Sequence, residues 1–525
     1  MARVALIKLF TGLNLGVSQL SGELQRAGHC SLIIYFKDFV VVPKESAHRY
    51  EMVDYPGVNV IARAKEYVWN CYKPFSAREY DLLIGRLRDF KPDLIGFSLT
   101  SQPLKAAAEV TARLRGALEA PVIWGGSGPT LEPERCLQWA DMVCVGEGER
   151  TIVELADRID RGEDLTSVES IWTKRDGQTV RNAGGPLIDL DQIAAPDFEP
   201  SRTVHINEDA IRYNVYPPNL GMEYVIMTTR GCPFSCSFCI ESVYQDMFGK
   251  KGSLRRRSVD NVIAELVDAK RKLPIKQVMF YDDVFTTHPQ WLREFAPRYK
   301  QEVGLPFWCY TYPTTTHKED LLLLKDAGLA SVTMGVQSGS EDILKENLHR
   351  PVARQKAIEA AQVVVDCGLE GFFDLITRVQ FETEKNCREA FEFLCDFPRR
   401  MKSVCFGNMT LFPGYGYTQQ VEAANRSLTL SDQDYTYYHK LYLLTRTRLP
   451  RRVVRKIGEM RIFRRYPSLI DLFLPRRSPV FFLVTKGDQR YQRWWKWLPR
   501  RRPRSPAAVI EGQPQIQSPQ IRANL

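Results

Sequence analysis

The chain has 525 residues, of which 44% are hydrophobic and 26% charged, and it carries a net charge of +10. That length allows about three domains, and the composition excludes a disordered chain, a collagen-like fibre and a disulfide-built miniprotein. No apolar run reaches the roughly 18 residues of a spanning helix, and Met1–Phe10 lacks the small-residue cleavage site of a signal peptide.

In chain order, the first elements alternate strand and helix. Arg3–Phe10 is an apolar, β-branched strand, Gly16–Gly28 repeats Val17, Leu20, Leu24 and Ala27 at helical spacing, and His29–Phe36 is a second strand. After an irregular insert the pattern resumes with strand Asp93–Leu99, helix Leu104–Leu118, strand Pro121–Trp124, helix Glu132–Leu137, strand Asp141–Val145 and helix Glu149–Ile159. Near-continuous apolar strands between helices predict an α/β domain over residues 1–165, a doubly wound parallel sheet. Such a sheet binds ligands beyond the carboxyl ends of its strands. The turns there are Gly12-Leu13-Asn14-Leu15-Gly16, Ser98-Leu99-Thr100-Ser101, Gly125-Gly126-Ser127-Gly128-Pro129-Thr130 and Gly146-Glu147-Gly148-Glu149. Glycine lets backbone approach a bulky ligand, although a tight turn between strand and helix needs glycine in any case.

Residues 166–223 read as a connector in which Val168–Thr173 forms one strand of a hairpin. Strands then recur at Tyr224–Thr229, Gln277–Tyr281, Phe307–Tyr312, Ser331–Gln337, Gly371–Thr377 and Val404–Leu411. Helices lie between them, among them Val259–Lys272, Lys318–Ala327, Ala353–Cys367 and Glu384–Cys395. Six such units predict an incomplete (β/α) barrel over residues 224–418, with its site at the strand C-termini. On the third strand Trp308, Tyr310 and Tyr312 share one face by alternation.

Most of the twelve cysteines stand singly, too dilute for a disulfide scaffold and suited to a reducing cytoplasm. Three do not. Arg230-Gly231-Cys232-Pro233-Phe234-Ser235-Cys236-Ser237-Phe238-Cys239 closes the first barrel strand, and its three thiolates can converge on one soft metal centre. A structural zinc site wants four closed ligands. A 4Fe–4S cluster held by three cysteines leaves one iron open.

Cys-x3-Cys-x2-Cys with an aromatic before its last cysteine, opening a partial (β/α)6 barrel, resembles the radical S-adenosylmethionine enzymes. The resemblance implies that the open iron chelates the amino and carboxylate groups of S-adenosylmethionine, whose reductive cleavage yields a 5′-deoxyadenosyl radical. It makes Cys232, Cys236 and Cys239 the cluster ligands and sets Phe238 beside the adenine. Phe280-Tyr281-Asp282-Asp283 closes the second strand, where the family presents polar groups to the methionine moiety, here Tyr281 and Asp282. Gly335-Val336-Gln337-Ser338-Gly339-Ser340 resembles the ribose-approaching turn, with Gln337 where Glu is common, and Leu411-Phe412-Pro413-Gly414 resembles the adenine-flanking segment. The fifth strand departs from the pattern by carrying Val379-Gln380 in place of Gly-Pro or Asn-Pro.

The first domain resembles the Rossmann-like cobalamin-binding domain that precedes the barrel in one branch of that superfamily. The match rests on Gly125–Thr130, Pro133-Glu134, Gly146–Glu149 and the connector residues Leu190-Asp191-Gln192 and Pro196-Asp197. It implies a cobalamin cradle at Asn14, Leu15 and Gly16; Ser98 and Thr100; Gly125, Gly126, Ser127, Gly128, Pro129 and Thr130; and Gly146 and Glu147. No Asp-x-His-x-x-Gly occurs, so no histidine would ligate cobalt, and His29 reads as a packing residue. The implied reaction is radical methylation of an unactivated carbon in a small-molecule or lipid substrate, fed by an electron donor such as flavodoxin or ferredoxin. Oxidative cyclisation within the same branch, a cofactor-binding sensor and tRNA modification are the alternatives.

From about Gln419 the chain is helical and then basic-aromatic, ending in a Pro/Gln/Ser tail at 505–525 that reads as disordered. Arg446–Arg504 holds 19 Lys/Arg against 3 Asp/Glu, a net +16, so residues 1–445 are at −6 and whole-chain nucleic-acid binding is not indicated. Arg451–Tyr466 places Val453, Val454, Ile457 and Met460 on one helical face, and Arg490–Leu498 interleaves Trp with Arg and Lys. A helical cap over the barrel, peripheral association of a cytoplasmic enzyme with a membrane, and nucleic-acid stacking all fit this region.

Overall fold

The computed structural model describes residues 1–10, 15–43, 49, 51–52, 59–62, 65–216 and 223–474. Asn14, the Arg490–Leu498 segment and the 505–525 tail lie outside them. A nine-stranded sheet runs in the order Gln178–Arg181, Ile171–Arg175, Met142–Cys144, Val122–Gly125, Leu94–Ser98, Arg3–Leu9, Cys30–Phe36, Thr203–Asn207, Ala210–Tyr213. Its six central strands are parallel. Alternate residues of Arg3–Leu9 feed two separate cores: Ala5 and Ile7 meet Leu83 and Val110 on one face, while Val4 and Leu6 meet Leu24 and Leu155 on the other. A strand buried on both faces needs the continuous apolar run that the sequence shows.

The stretch expected as a connector extends this sheet at both edges. Ile171–Arg175 and Gln178–Arg181 form an antiparallel hairpin against Met142–Cys144, and Thr203–Asn207 pairs parallel to Cys30–Phe36. Between them Asp197 docks on the first helix, Leu15–Arg26, accepting from Ser21 Oγ at 2.6 Å and from Arg202 Nε at 2.8 Å. The irregular insert contains an unexpected helix, Ala77–Phe90, opened by a capping box between Ser76 and Glu79. Glu79 also forms a buried ion pair with Lys37.

The second sheet has six parallel strands in chain order: Glu223–Ile226, Gln277–Phe280, Phe307–Thr311, Leu329–Gln337, Glu370–Thr377 and Lys402–Asn408. Neighbour follows neighbour and, among the described residues, no further strand pairs with the two ends, which makes an open half-barrel. Phe307, Cys309, Val332, Met334 and Phe373 pack outward against helices such as Val259–Lys272 and Lys318–Ala327. Trp308, Tyr310 and Asp374 alternate with them and face the concave side.

Helices Asp432–Thr445 and Arg451–Glu459 join the barrel core through Leu441, Tyr442, Val454 and Ile457. The single amphipathic face expected for Arg451–Tyr466 is interrupted: the helix ends at Glu459 and resumes as Arg461–Arg465. Val453 and Met460 are consequently 38% and 42% exposed. Among the described residues no helix is long and apolar enough to cross a membrane.

Candidate functional site

The cysteine loop is held from several directions. Gly231 has φ +89°, and a β-carbon there would lie 2.3 Å from the Ser253 carbonyl oxygen, so the turn into Cys232 accepts only glycine. Gln245, on the helix Ile240–Phe248 that Cys239 caps, donates to the Cys232 carbonyl and to that of Phe234 at 3.0 Å. Ser237 donates through Oγ to Asn347 O at 2.6 Å and through N to Leu348 O at 3.1 Å. Cys232 and Cys236 are buried. Burial, chiefly, pushes the Cys232 thiol up to about 12 and raises that of Cys239, and Asp283, Cys236 and Glu241 add to both shifts.

One buried cation faces this loop. Arg350 Nη1 lies 3.6 Å from Cys236 Sγ, its Nη2 donates to the Gly335 carbonyl, and its guanidinium covers the Tyr312 ring at 3.9 Å. Tyr312 in turn stacks on Phe234 at 3.8 Å. Acids occupy the other side. Glu241 is buried with Oε2 unpartnered, raised by burial and by Asp283 to about 8. Asp283 is accessible to solvent yet surrounded by protein atoms, and that enclosure followed by the neighbouring Asp282 raises it to about 6. Asp374 is raised to about 6 by burial alone. Beyond them Trp308 and Tyr310 meet edge-on at 4.6 Å, with Tyr281 at 5.7 Å from Tyr310.

At the junction of the two sheets lies a cavity of about 290 Å³. Gly16, Ser98, Gly125, Gly126, Gly146 and Glu147 line it from the first sheet, and Arg230, Gly231, Glu241, Tyr244 and Phe248 from the cysteine-loop side. Depressions of about 190 and 460 Å³ share Glu149 with it and continue the space along the junction. Gly126 (φ +98°) approaches Leu99 so closely that a β-carbon would sit 2.5 Å from its carbonyl oxygen. Ion pairs join the walls: Arg230 bonds Glu147 at 2.9 Å and also Glu149, and Arg255 bonds Glu147 at 3.2 Å. Burial alone would raise Glu147, but Arg255 and Arg230 hold its carboxyl below the ordinary range.

A family model described as Radical SAM superfamily matches residues 226–394, and one described as B12 binding domain matches residues 49–156, together just over half of the chain. The chain belongs to the cobalamin-dependent radical S-adenosylmethionine enzymes. It is 29% identical over 360 residues to an uncharacterized methyltransferase, PH0819, of Pyrococcus horikoshii, covering 67% of this chain and 74% of that one. Cytidylyl-2-hydroxyethylphosphonate methyltransferase of Streptomyces wedmorensis is 28% identical over 56% of this chain and 59% of its own. Anaerobic magnesium-protoporphyrin IX monomethyl ester cyclase of Rubrivivax gelatinosus is 24% identical over 60% and 56%. Two solved structures share the fold. The cobalamin-dependent enzyme OxsB has a TM-score of 0.63 at 16% identity, covering 89% of this chain and 72% of that one. The methyltransferase TsrM from Kitasatospora setae, with cobalamin and a [4Fe-4S] cluster bound, has a TM-score of 0.59 at 18% identity, covering 81% and 75%.

The cofactors of this cobalamin-dependent radical enzyme are a 4Fe–4S cluster, S-adenosylmethionine and cobalamin. The residues present fit them. The loop offers three thiols and no fourth, a soft donor set that leaves one iron free. Among the described residues no three His, Cys, Asp or Glu side chains close on a single ion, and a cubane spaces its thiolates more widely than one ion does. The junction cavity is floored by glycines where a β-carbon would intrude. His29 is buried, its ring between the Ala2 N–H and Asp157, away from the cavity, as a packing residue.

Other predicted residues are placed differently. Thr100 is exposed outside the cavity, Leu15 lines the smaller depression, and Ser127 opens the short helix Ser127–Leu131. Gly128, Pro129 and Thr130 lie beneath the surface, where Thr130 Oγ1 accepts from Gly146 N at 3.0 Å and ties two of the turns together. Asp282 is turned away from the cysteines. It is fully buried and accepts from Thr228 Oγ1 at 2.8 Å and from Thr229, so Asp283 is the acid that faces them. Ser338 is likewise buried, its Oγ accepting from Ser340 N at 3.1 Å. Gln337 stands at φ +70° on a bulge in its strand, Phe238 packs against a small cluster containing Leu348 and Tyr417, and Phe412 lies 5.2 Å from Tyr415. Arg255 and Glu241 escaped the sequence reading because no local pattern marks them, and Arg230 and Asp374 stood in it only as members of the cysteine motif and of the fifth strand, without a role of their own.

Proposed function

We propose that this enzyme is a methyltransferase acting on an unactivated carbon of a small organic substrate. Cys232, Cys236 and Cys239 would hold the cluster, and the glycine turns at Gly16, Gly125-Gly126 and Gly146 would hold cobalamin. The observation that carries the reading is the junction cavity, whose walls come from the glycine turns on one side and the cysteine loop on the other. When bound, the cluster with S-adenosylmethionine supplies a hydrogen-abstracting radical, and cobalamin supplies a transferable methyl group. This chain's residues do the rest. Arg230 and Arg255 on Glu147 and Glu149 keep the two walls at a set distance, so the substrate carbon meets both groups without diffusing. The Tyr281, Trp308 and Tyr310 rings exclude water from the concave face. An electron donor of the flavodoxin or ferredoxin class would reduce the cluster.

Two methyltransferase relatives support this reading, and the cyclase relatives support oxidative ring formation in its place. Anaerobic reconstitution with iron, sulfide and hydroxocobalamin tests the site. About four irons and one cobalt should bind per chain, and Cys236→Ala should lose the iron while retaining cobalt. Label from the S-methyl group of S-adenosylmethionine should then stay with the protein-bound cobalamin. Cofactor loading without that label would favour cyclisation, and absence of cobalt would overturn the methyl-transfer reading.

A further inference from the structure

We propose that Arg350 is a positioning residue that acts on the cluster through Cys236 and makes the cluster easier to reduce. The proposal rests on the cluster placement above and adds to it the residue that sets its potential.

Arg350 is only 7% exposed, and its guanidinium is spent on the site. Nη1 lies 3.6 Å from Cys236 Sγ, Nη2 donates to the Gly335 carbonyl on the fourth barrel strand, and the plane covers the Tyr312 ring at 3.9 Å. Tyr312 stacks in turn on Phe234, inside the cysteine loop, at 3.8 Å. The turn that carries Arg350 grips the same loop by its backbone. The Asn347 carbonyl accepts from Ser237 Oγ at 2.6 Å and the Leu348 carbonyl from Ser237 N at 3.1 Å, while Arg350 N donates to Leu344 O at 2.7 Å. A fixed turn on one side and a stacked pair of rings on the other therefore hold the guanidinium on Cys236.

What this cation lacks is an anion. Arg230, Arg255 and Arg257 each pair with a carboxylate. Among the described residues no carboxylate pairs with Arg350, and its buried Nε has no hydrogen-bond partner. A buried charge without a counter-charge is costly. A cluster held by three thiolates is negatively charged overall and would supply the counter-charge beside Cys236. Reduction brings one electron from the donor onto the cluster, breaks no bond and makes it more negative by one. A fixed cation at a ligand sulfur therefore favours the reduced form over the oxidised one, and a charge-assisted N–H···S contact acts in the same sense. The carboxylate of S-adenosylmethionine is the rival source of negative charge, but Nη1 already lies against the sulfur without it.

The test is a redox titration of holoenzyme loaded with iron, sulfide and cobalamin, first without and then with S-adenosylmethionine. The reduced cluster is read by its electron paramagnetic resonance signal. Arg350→Met removes the charge and the donors at similar length, and its midpoint should fall. At a fixed potential the ratio of reduced to oxidised cluster should drop at least tenfold, which is about 59 mV for one electron. Arg350→Lys keeps the charge and loses the planar fork, so its midpoint should lie between that of Arg350→Met and that of the unsubstituted protein. Both shifts should be present before S-adenosylmethionine is added, at unchanged iron content. An unchanged or raised midpoint in Arg350→Met, or a shift seen only with S-adenosylmethionine, would overturn the proposal. If Arg350→Met alone loses iron, the midpoint of Arg350→Lys decides in the same way. Loss of iron from both variants would also overturn it, because Arg350 would then build the site rather than tune it. An unsubstituted protein that fails to bind about four irons rejects the cluster placement itself, and this proposal with it.

Discussion

At Gly126 the backbone is left-handed and pressed against Leu99, and the position borders the junction cavity. Gly126→Ala therefore combines strain at a positive φ with a clash against main chain, at a cost of about 1–3 kcal/mol. The expected outcome is a lower melting temperature together with reduced cobalt stoichiometry after reconstitution, the iron content staying unchanged. The Gly125-Gly126 pair was legible in the sequence, since a glycine pair after an apolar strand announces a close approach. Asp283 was not distinguishable from Asp282 there. The two are adjacent, and the choice between them was made by Thr228 and Thr229, which bind Asp282 from 54 and 53 residues away.

Among the elements, the helix Asp432–Thr445 shows how a segment outside the barrel becomes part of it. It carries four tyrosines, of which Tyr437, Tyr438 and Tyr442 are buried together with Leu441 against the helix Glu384–Asp396. Tyr442 donates to the Cys387 carbonyl at 3.0 Å and Tyr437 to that of Gly458 at 2.8 Å. Arg446 behind it is half-buried over the carbonyls of Leu394 and Pro398, and desolvation pulls its guanidinium down to about 9. Leu441→Ala should destabilise the protein by about 2–5 kcal/mol, the range for a buried leucine leaving a cavity, as read by urea denaturation. An appendage that merely tethered the basic C-terminus would show no such loss. Of the three roles open to this region in the sequence, the described residues occupy that of the helical cap.

For the molecule as a whole, the two sheets are coupled through Glu147. Glu147→Gln leaves Arg230 and Arg255 short of an anionic partner and should cost about 1–3 kcal/mol. It should also increase proteolysis in the residues that join the two sheets, measurable by limited trypsin digestion. Stability should depend on pH in two opposite senses. Glu147 and Asp197 have carboxyls held low in the fold despite burial, by Arg255 and Arg230 in one case and by Arg202 and Ser21 in the other. Their contribution is present above the unfolded carboxyl pKa and is lost as pH falls through the folded values. Asp374 and Glu382 are raised by burial to about 6 and about 7. Theirs is complete below the unfolded pKa and disappears as pH rises through 6 to 7. Urea midpoints of the apoprotein should therefore peak in mildly acid solution, near about pH 5, and fall on either side.

What the amino-acid sequence determined by itself was everything carried by short-range pattern. Period-two and unbroken apolar runs marked both parallel sheets nearly strand for strand, because burial of a strand face is written into its own residues. The three cysteines and the glycine turns were equally plain, since metal ligation and close backbone approach demand those residue types at fixed spacing. The helix Ala77–Phe90 was also written there, in Ser76 and Glu79, and was masked by its irregular neighbours. Tertiary structure alone decided which distant residues complete the site. Arg350 reaches Cys236 across 114 positions, Glu147 meets Arg230 and Arg255 across 83 and 108, and Asp374 is set opposite Gly335 by strand register. A lone charged residue carries no local period, so its partner is set by how the sheets twist and dock.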